Sequence, residues 1–139
     1  MSEPHALPPG HPPLPGPKIG VLLLNLGTPD ATDYWSMRRY LSEFLSDKRI
    51  IELPQLLWQP ILQGIILTVR PKKSGHAYAQ IWNKELNESP LRTTTRDLTE
   101  KTAALLQAKH SNLMVDWAMR YGQPSTGGAI RRMIEAGCD

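Results

Sequence analysis

Residues 18–30, KIGVLLLNLGTPD, constrain the fold more than any other part of the chain. A continuous apolar run, IGVLLL, breaks at Asn25 and turns through Leu26, Gly27, Thr28 and Pro29. A short apolar run bounded by turn chemistry suits a strand buried on both faces of a parallel sheet. Parallel strands need crossover connections, so an α/β chain is expected.

The segments that follow can supply the crossover. TDYWSMRRYLSEFLS offers Asp33 or Thr32 as a helix N-cap and an apolar stripe at Met37, Leu41, Phe44 and Leu45. Pro54 can open a second helix, LPQLLWQPILQGIILTV, with a dense apolar face at Leu57, Trp58, Ile61, Leu62, Ile65 and Ile66; Pro60 would kink or restart it. Gln55, Gln59, Gln63, Gly64 and the two prolines argue against a membrane span. Two readings of that segment stand: a core helix, or an interfacial or cleft-lining one followed by Arg70, Lys72 and Lys73.

A short helix over residues 75–82, a polar NKELNE loop and a Ser89–Pro90 helix start come next. The long helix beyond carries Leu91, Leu98 and Leu105 at heptad spacing with Leu106 beside them, which predicts leucines inward and threonines and charges toward water. NLMVDWAMRYG reads as a second strand, and Ser125 or Thr126 starts a final helix that buries Ile130, Met133 and Ile134. The order strand, helices, strand, helix implies a parallel sheet with crossovers. The closing GCD is a helix exit of the kind that leads into a third strand, so the chain is read as stopping in mid-domain.

A chain of 139 residues is expected to form one domain. Residues 1–17 hold seven of the 13 prolines and no apolar signal-peptide core; they read as a disordered leader ahead of a folded unit over residues 18–139. The formal charge of +3 permits an anionic ligand or an acidic membrane surface and is far from a nucleic-acid signature. Cys138 has no partner, which excludes a disulfide within the chain and fits a reducing, cytoplasmic compartment.

Ligands of open parallel sheets bind beyond the carboxyl ends of the strands. Two such ends are visible, NLGTP at residues 25–29 and RYGQP at residues 120–124. If the strands are neighbours, both loops face one crevice, with Gly27 allowing close backbone approach, Leu26 an apolar surface, and Arg120 and Tyr121 a cation and an amphipathic ring. Both loops are equally readable as plain strand-to-helix turns. Neither GxGxxG nor GxxxxGK[ST] is present, so a phosphate cradle has no support. His5, His11, His76 and His110 lack ligand spacing, and no nucleophile–base pair is legible.

LLLNLGTPD, YLSEFLSDKRIIELP, RPKKSGHAYAQIW, the SPL at residues 89–91 and MRYGQPS, taken in this order, resemble the amino-terminal part of a bacterial-type ferrochelatase over residues 18–139. The resemblance implies a Rossmann-like parallel sheet flanked by helices, the incomplete first lobe of a two-lobe chelatase fold with the macrocycle in the cleft. It implies a lyase that inserts ferrous iron into protoporphyrin IX, the last step of haem synthesis. A flat porphyrin holds its pyrrole N–H groups in its own plane, so remote binding energy must bend the ring to expose them.

Carried over by position, the resemblance implies substrate contacts at Leu26 on the ring face, at Arg70 and Ser89 on its polar edge, and at Tyr78 in the pocket. It implies others at Arg120 and Tyr121 at the second strand end and at Leu41 and Phe44 at the pocket mouth. A guanidinium suits propionates because it offers paired donors. Residues 50–70 match the pocket lip, associated with peripheral membrane contact. No catalytic or metal-ligating residue is implied within this chain: the iron-handling histidine and its acidic partner match positions past residue 139, so the isolated chain is expected to be inactive. Ferrous iron and protoporphyrin IX are the implied substrates, with no cofactor in this chain; any iron–sulfur extension would lie past residue 139. The alternatives are a non-catalytic porphyrin-binding or membrane-associated module, and a chelatase for another tetrapyrrole.

Overall fold

A computed structural model describes Gly10 and residues 16–139; the expected leader lies outside the described residues except for Gly10, Gly16 and Pro17. Two parallel strands, β1 (Ile19–Gly27) and β2 (Leu113–Tyr121), pair in register from Ile19–Leu113 to Gly27–Tyr121. Between them run α1 (Tyr34–Ser46), α2 (Gln55–Ile61), α3 (Leu67–Ile81) and α4 (Pro90–Gln107); α5 (Thr126–Glu135) follows β2. The architecture is α/β, a two-stranded parallel sheet flanked by helices.

β1 runs past the apolar stretch, so Asn25 and Leu26 are strand residues rather than turn residues. The expectation of burial on both faces is corrected. One face lies under α4, where Asn25 Nδ2 donates to Thr95 Oγ1 at 3.0 Å. The other meets Met133 and Cys138 only near Gly20, leaving Leu24 and Leu26 exposed among the described residues. At its start β1 also pairs on its second edge: Lys18 bridges Cys138 in parallel, and the Asp139 N–H donates to Lys18 O at 2.9 Å.

Asp33 caps α1 by accepting from the Trp35 and Ser36 N–H groups, each at 3.0 Å. Met37, Tyr40, Leu41 and Leu45 fall on one face and form the centre of the core, with Trp58, Leu62, Leu67 and Tyr121 around them. Helix α2 docks on α1 by its polar side. Trp58 Nε1 donates to Leu45 O at 2.8 Å, Gln59 Nε2 to Ser46 Oγ at 3.2 Å and Gln63 Nε2 to Ser42 Oγ at 3.2 Å. The dense apolar face expected here therefore divides: Trp58 and Leu62 are buried and Ile66 packs against the core, while Leu57, Ile61 and Ile65 face outward, as does Leu56 beside them.

A wide π-helical turn over Leu62–Ile66 joins α2 to α3, so one interrupted helical path replaces the separate short helix expected over residues 75–82. Pro71 sits inside α3 without breaking it. Its missing N–H leaves the Leu67 carbonyl without an intrahelical donor. The Tyr34 hydroxyl, at 3.0 Å, and Arg38 Nη1 donate to that carbonyl instead and tie α3 to α1.

Ser89 caps α4, accepting from the Arg92 N–H at 3.3 Å. The leucine stripe expected to pack inward does not. Thr95 and Thr99 are buried against the sheet, whereas Leu98 and Leu105 are 54% and 71% exposed. The threonine hydroxyls donate to the carbonyls of Leu91 and Thr95 at 2.7 and 2.8 Å, so they enter the interface with their polar groups satisfied. α5 repeats the correction. Ser125 caps it, Ala129 and Met133 are buried, and Ile130 and Ile134 point outward because only one narrow face meets the sheet.

Candidate functional site

The two strand ends lie side by side. Gly27 at φ +127° and Gly122 at φ +84° occupy backbone that favours glycine. A Cβ on Gly27 would lie 2.0 Å from Tyr121 O, and one on Gly122 would lie 2.7 Å from Thr28 O. Both glycines are required because the two turns touch backbone to backbone. Between them is a hollow of about 140 Å³ whose lining includes Thr28 and Asp30 from the first turn, Gly122 and Gln123 from the second, and Arg39 and Glu43 from α1.

α1 holds this crevice in place. The Tyr40 hydroxyl donates to Gly27 O at 3.2 Å, and the Gly122 N–H donates to Glu43 Oε2 at 3.1 Å. Burial pushes the Tyr40 phenol well above its ordinary value, with Tyr78 as its next largest influence. Phe44 stacks on Tyr40 with ring centres 6.1 Å apart and meets Tyr121 edge-on at 5.1 Å.

Asp47, just past α1, is the electrostatic centre of the second strand end. Its Oδ2 accepts from the Tyr121 hydroxyl at 2.6 Å and from Arg120 Nη2 at 3.1 Å. Its carboxyl is held down at about 2, chiefly by the Tyr121 hydrogen bond and then by the Arg49 N–H. Burial and the hydrogen bond to Asp47 raise the Tyr121 phenol in turn. The Arg120 guanidinium also lies over the Tyr121 ring, 5.4 Å from its centre.

The expected contact residues divide into groups. The register sets Leu26, half-exposed, level with Arg120 between the pairs Asn25–Met119 and Gly27–Tyr121. Tyr121 and Phe44 adjoin the same strand end, and Tyr78 packs against the core beneath them. Leu41 is a core residue. Ser89 is 2% exposed as the cap of α4. Arg70 is exposed on α3, which packs on α1, a layer away from the strand ends.

Asp47 and Glu43 escaped the sequence reading. Their partners lie more than seventy residues away, at Tyr121 and Gly122, and no local spacing marks such a contact. Among the described residues, no group of three or more His, Cys, Asp or Glu side chains is placed to hold a metal ion.

Comparison with known proteins bears on what this crevice belongs to. The ferrochelatase family model matches residues 18–139. Among curated relatives named ferrochelatase, that of Chelativorans sp. (strain BNC1) is 61% identical over 132 residues, covering 95% of this chain and 37% of the relative. The ferrochelatase of Agrobacterium fabrum is 59% identical over 138 residues, covering 99% of this chain and 40% of its own. That of Rhodobacter capsulatus is 56% identical over 138 residues, 98% of this chain and 39% of its own. No solved structure matches. The chain thus spans about two-fifths of the length of these relatives, at 37–40%. With the match running through both strand-end turns and every helix between them, the chain belongs to the ferrochelatase family.

Proposed function

We propose that this chain forms one wall of the porphyrin cleft of a ferrochelatase, the first-lobe part of an enzyme that inserts ferrous iron into protoporphyrin IX. The observation that carries the proposal is the side-by-side meeting of the two strand ends, where the register sets an apolar side chain, Leu26, level with a cation, Arg120, both outside the lining of the hollow between the turns. An apolar ring with carboxylated edges needs that pair of chemistries side by side. Leu26 would lie against the ring face, and Arg120 would donate to a propionate. Tyr121, Phe44 and Tyr78 would back the wall; Leu41 and Ser89 would support it from inside, and Arg70 would reach the ring from the lip. The iron is substrate, and its insertion draws on groups outside this wall.

The lip itself supports peripheral contact with a membrane. No helix among the described residues is long and apolar enough to cross one. Yet Leu53, Leu56, Leu57, Ile61, Ile65 and Val69 are exposed along residues 53–69, and Lys72 and Lys73 follow beside Val69. Apolar side chains rimmed by lysines suit an anionic lipid surface, and a site on the cytoplasmic side of a membrane fits this reading.

Fluorescence titration of the chain with protoporphyrin IX tests the proposal, alongside a metal-insertion assay. Saturable binding that Leu26→Asp weakens by about tenfold is expected, with no measurable insertion. Absence of binding, or turnover at an enzyme's ordinary rate, would overturn it.

A further inference from the structure

Asp47 occupies the donors that a ligand carboxylate would use. Its Oδ2 takes both the Tyr121 hydroxyl and Arg120 Nη2, and its Oδ1 accepts from the Arg49 N–H at 2.8 Å. Its backbone is engaged too: the carbonyl accepts from the Ile50 and Ile51 N–H groups at 3.0 and 3.1 Å. A carboxylate held at so many points keeps one orientation toward Arg120. The guanidinium meets it through one nitrogen, and nearly half of the Arg120 side chain is open to solvent.

The consequence is a question of charge. Arg120 paired with Asp47 is a neutral unit, so an incoming carboxylate gains a full cation only by taking the place that Asp47 fills. Glu43, a carboxylate of α1 at this strand end, is committed to the Gly122 N–H and does not release Arg120. Asp47 also begins the turn that leads from α1 into the apolar lip.

We propose that Asp47 is a latch, an internal carboxylate seated on Arg120 and Tyr121 that a carboxylated ligand must displace. It sets how strongly the crevice prefers rings with free carboxylates over neutral ones. For the ligand's identity the inference rests on the porphyrin reading above. Arg120 is nearly half exposed and Asp47 about one-fifth, so the pair contributes as a partly exposed ion pair, and freeing Arg120 changes affinity by a small factor.

Asp47→Asn tests this, because the amide oxygen still accepts from the Arg49 N–H and the amide NH2 can donate to the Tyr121 hydroxyl oxygen, while the charge is gone. Protoporphyrin IX should bind the variant about two- to fivefold tighter than the parent chain. Its dimethyl ester should bind both equally. Adding Arg120→Gln should cancel the gain. Equal or weaker binding of protoporphyrin IX by a natively folded Asp47→Asn would overturn the latch while leaving the porphyrin reading intact. If no form binds porphyrin, that reading falls and the latch is judged by chemistry alone. Phenylglyoxal should then modify Arg120 faster in Asp47→Asn than in the parent, and an unchanged rate rejects it. Should the asparagine variant fail to fold, Asp47→Ser, which removes the carboxylate and keeps a hydroxyl oxygen able to accept from the Arg49 N–H, gives the same readings with the same expected direction.

Discussion

At Asp47, hydrogen bonding outweighs the cost of burial, and the carboxyl drops from its ordinary 3.8 to about 2. Glu88 is likewise held below its ordinary 4.5, first by Arg96, which meets it with both terminal guanidinium nitrogens, and then by the Thr93 hydroxyl. A carboxylate whose folded-state value is depressed contributes stability that is complete above its unfolded value and is lost as pH falls toward its folded one. The urea midpoint should therefore be flat above about pH 5 and fall between about pH 4.5 and 2. In a chain carrying Asp47→Asn and Glu88→Gln, urea titrations across that range should show a shallower fall. An acid limb of unchanged steepness would mean that other groups control it. Of this residue-level detail, the sequence shows Gly27 and Gly122, since a glycine two residues before a proline at the end of an apolar run marks a turn. It does not show Asp47, whose partners are 73 and 74 positions away.

Among the elements, α2 is turned the opposite way from an ordinary amphipathic helix. Gln55 and Gln59 of α2, with Gln63 in the π-helical turn that follows, recur every four residues and donate to Ser46 and Ser42 of α1, so the polar stripe is the docked one. Leu56 and Leu57, 92% and 67% exposed, are left outside. If that face meets lipid, replacing Leu56, Leu57 and Ile61 together by Gln should weaken partition onto anionic vesicles by at least tenfold, by roughly 1.5–3 kcal/mol for each leucine fully buried in lipid. Co-sedimentation with vesicles measures this, and unchanged partition with native circular dichroism would remove the lip from membrane contact. Hydrophobic periodicity reveals that α2 has an apolar face without revealing whether that face meets protein. Its alternative reading as an interfacial segment was legible for that reason, and its docking through glutamines was not. The π-helical turn and the continuation of α3 through Pro71 were hidden for a different reason. Pro71 ordinarily signals a break, and only the Tyr34 and Arg38 side chains, distant in sequence, supply the donors that make it tolerable.

On the scale of the whole molecule, two strands and five helices bury one cluster centred on α1, while the outer faces of α4 and α5 and the far half of β1 stay open among the described residues. Periodicity on α4 pointed to a leucine core, but the sheet takes the threonine face, because Thr95 can accept from Asn25 while returning its own proton to the Leu91 carbonyl. The two readings differ in energy by enough to separate them. Were Leu98 and Leu105 core residues, truncating each would cost about 2–5 kcal/mol. As exposed residues, each should change stability by no more than about 0.5 kcal/mol. The double variant Leu98→Gln and Leu105→Gln should therefore keep its urea midpoint nearly unchanged. An open apolar stripe also invites association between chains. Sedimentation velocity should show the parent forming larger species as concentration rises and the double variant remaining smaller at the same concentrations. A large loss of stability in that variant would return the leucines to the core and reverse the orientation of α4 on the sheet. Equal sedimentation of the two would show that the stripe, although exposed, does not bring chains together.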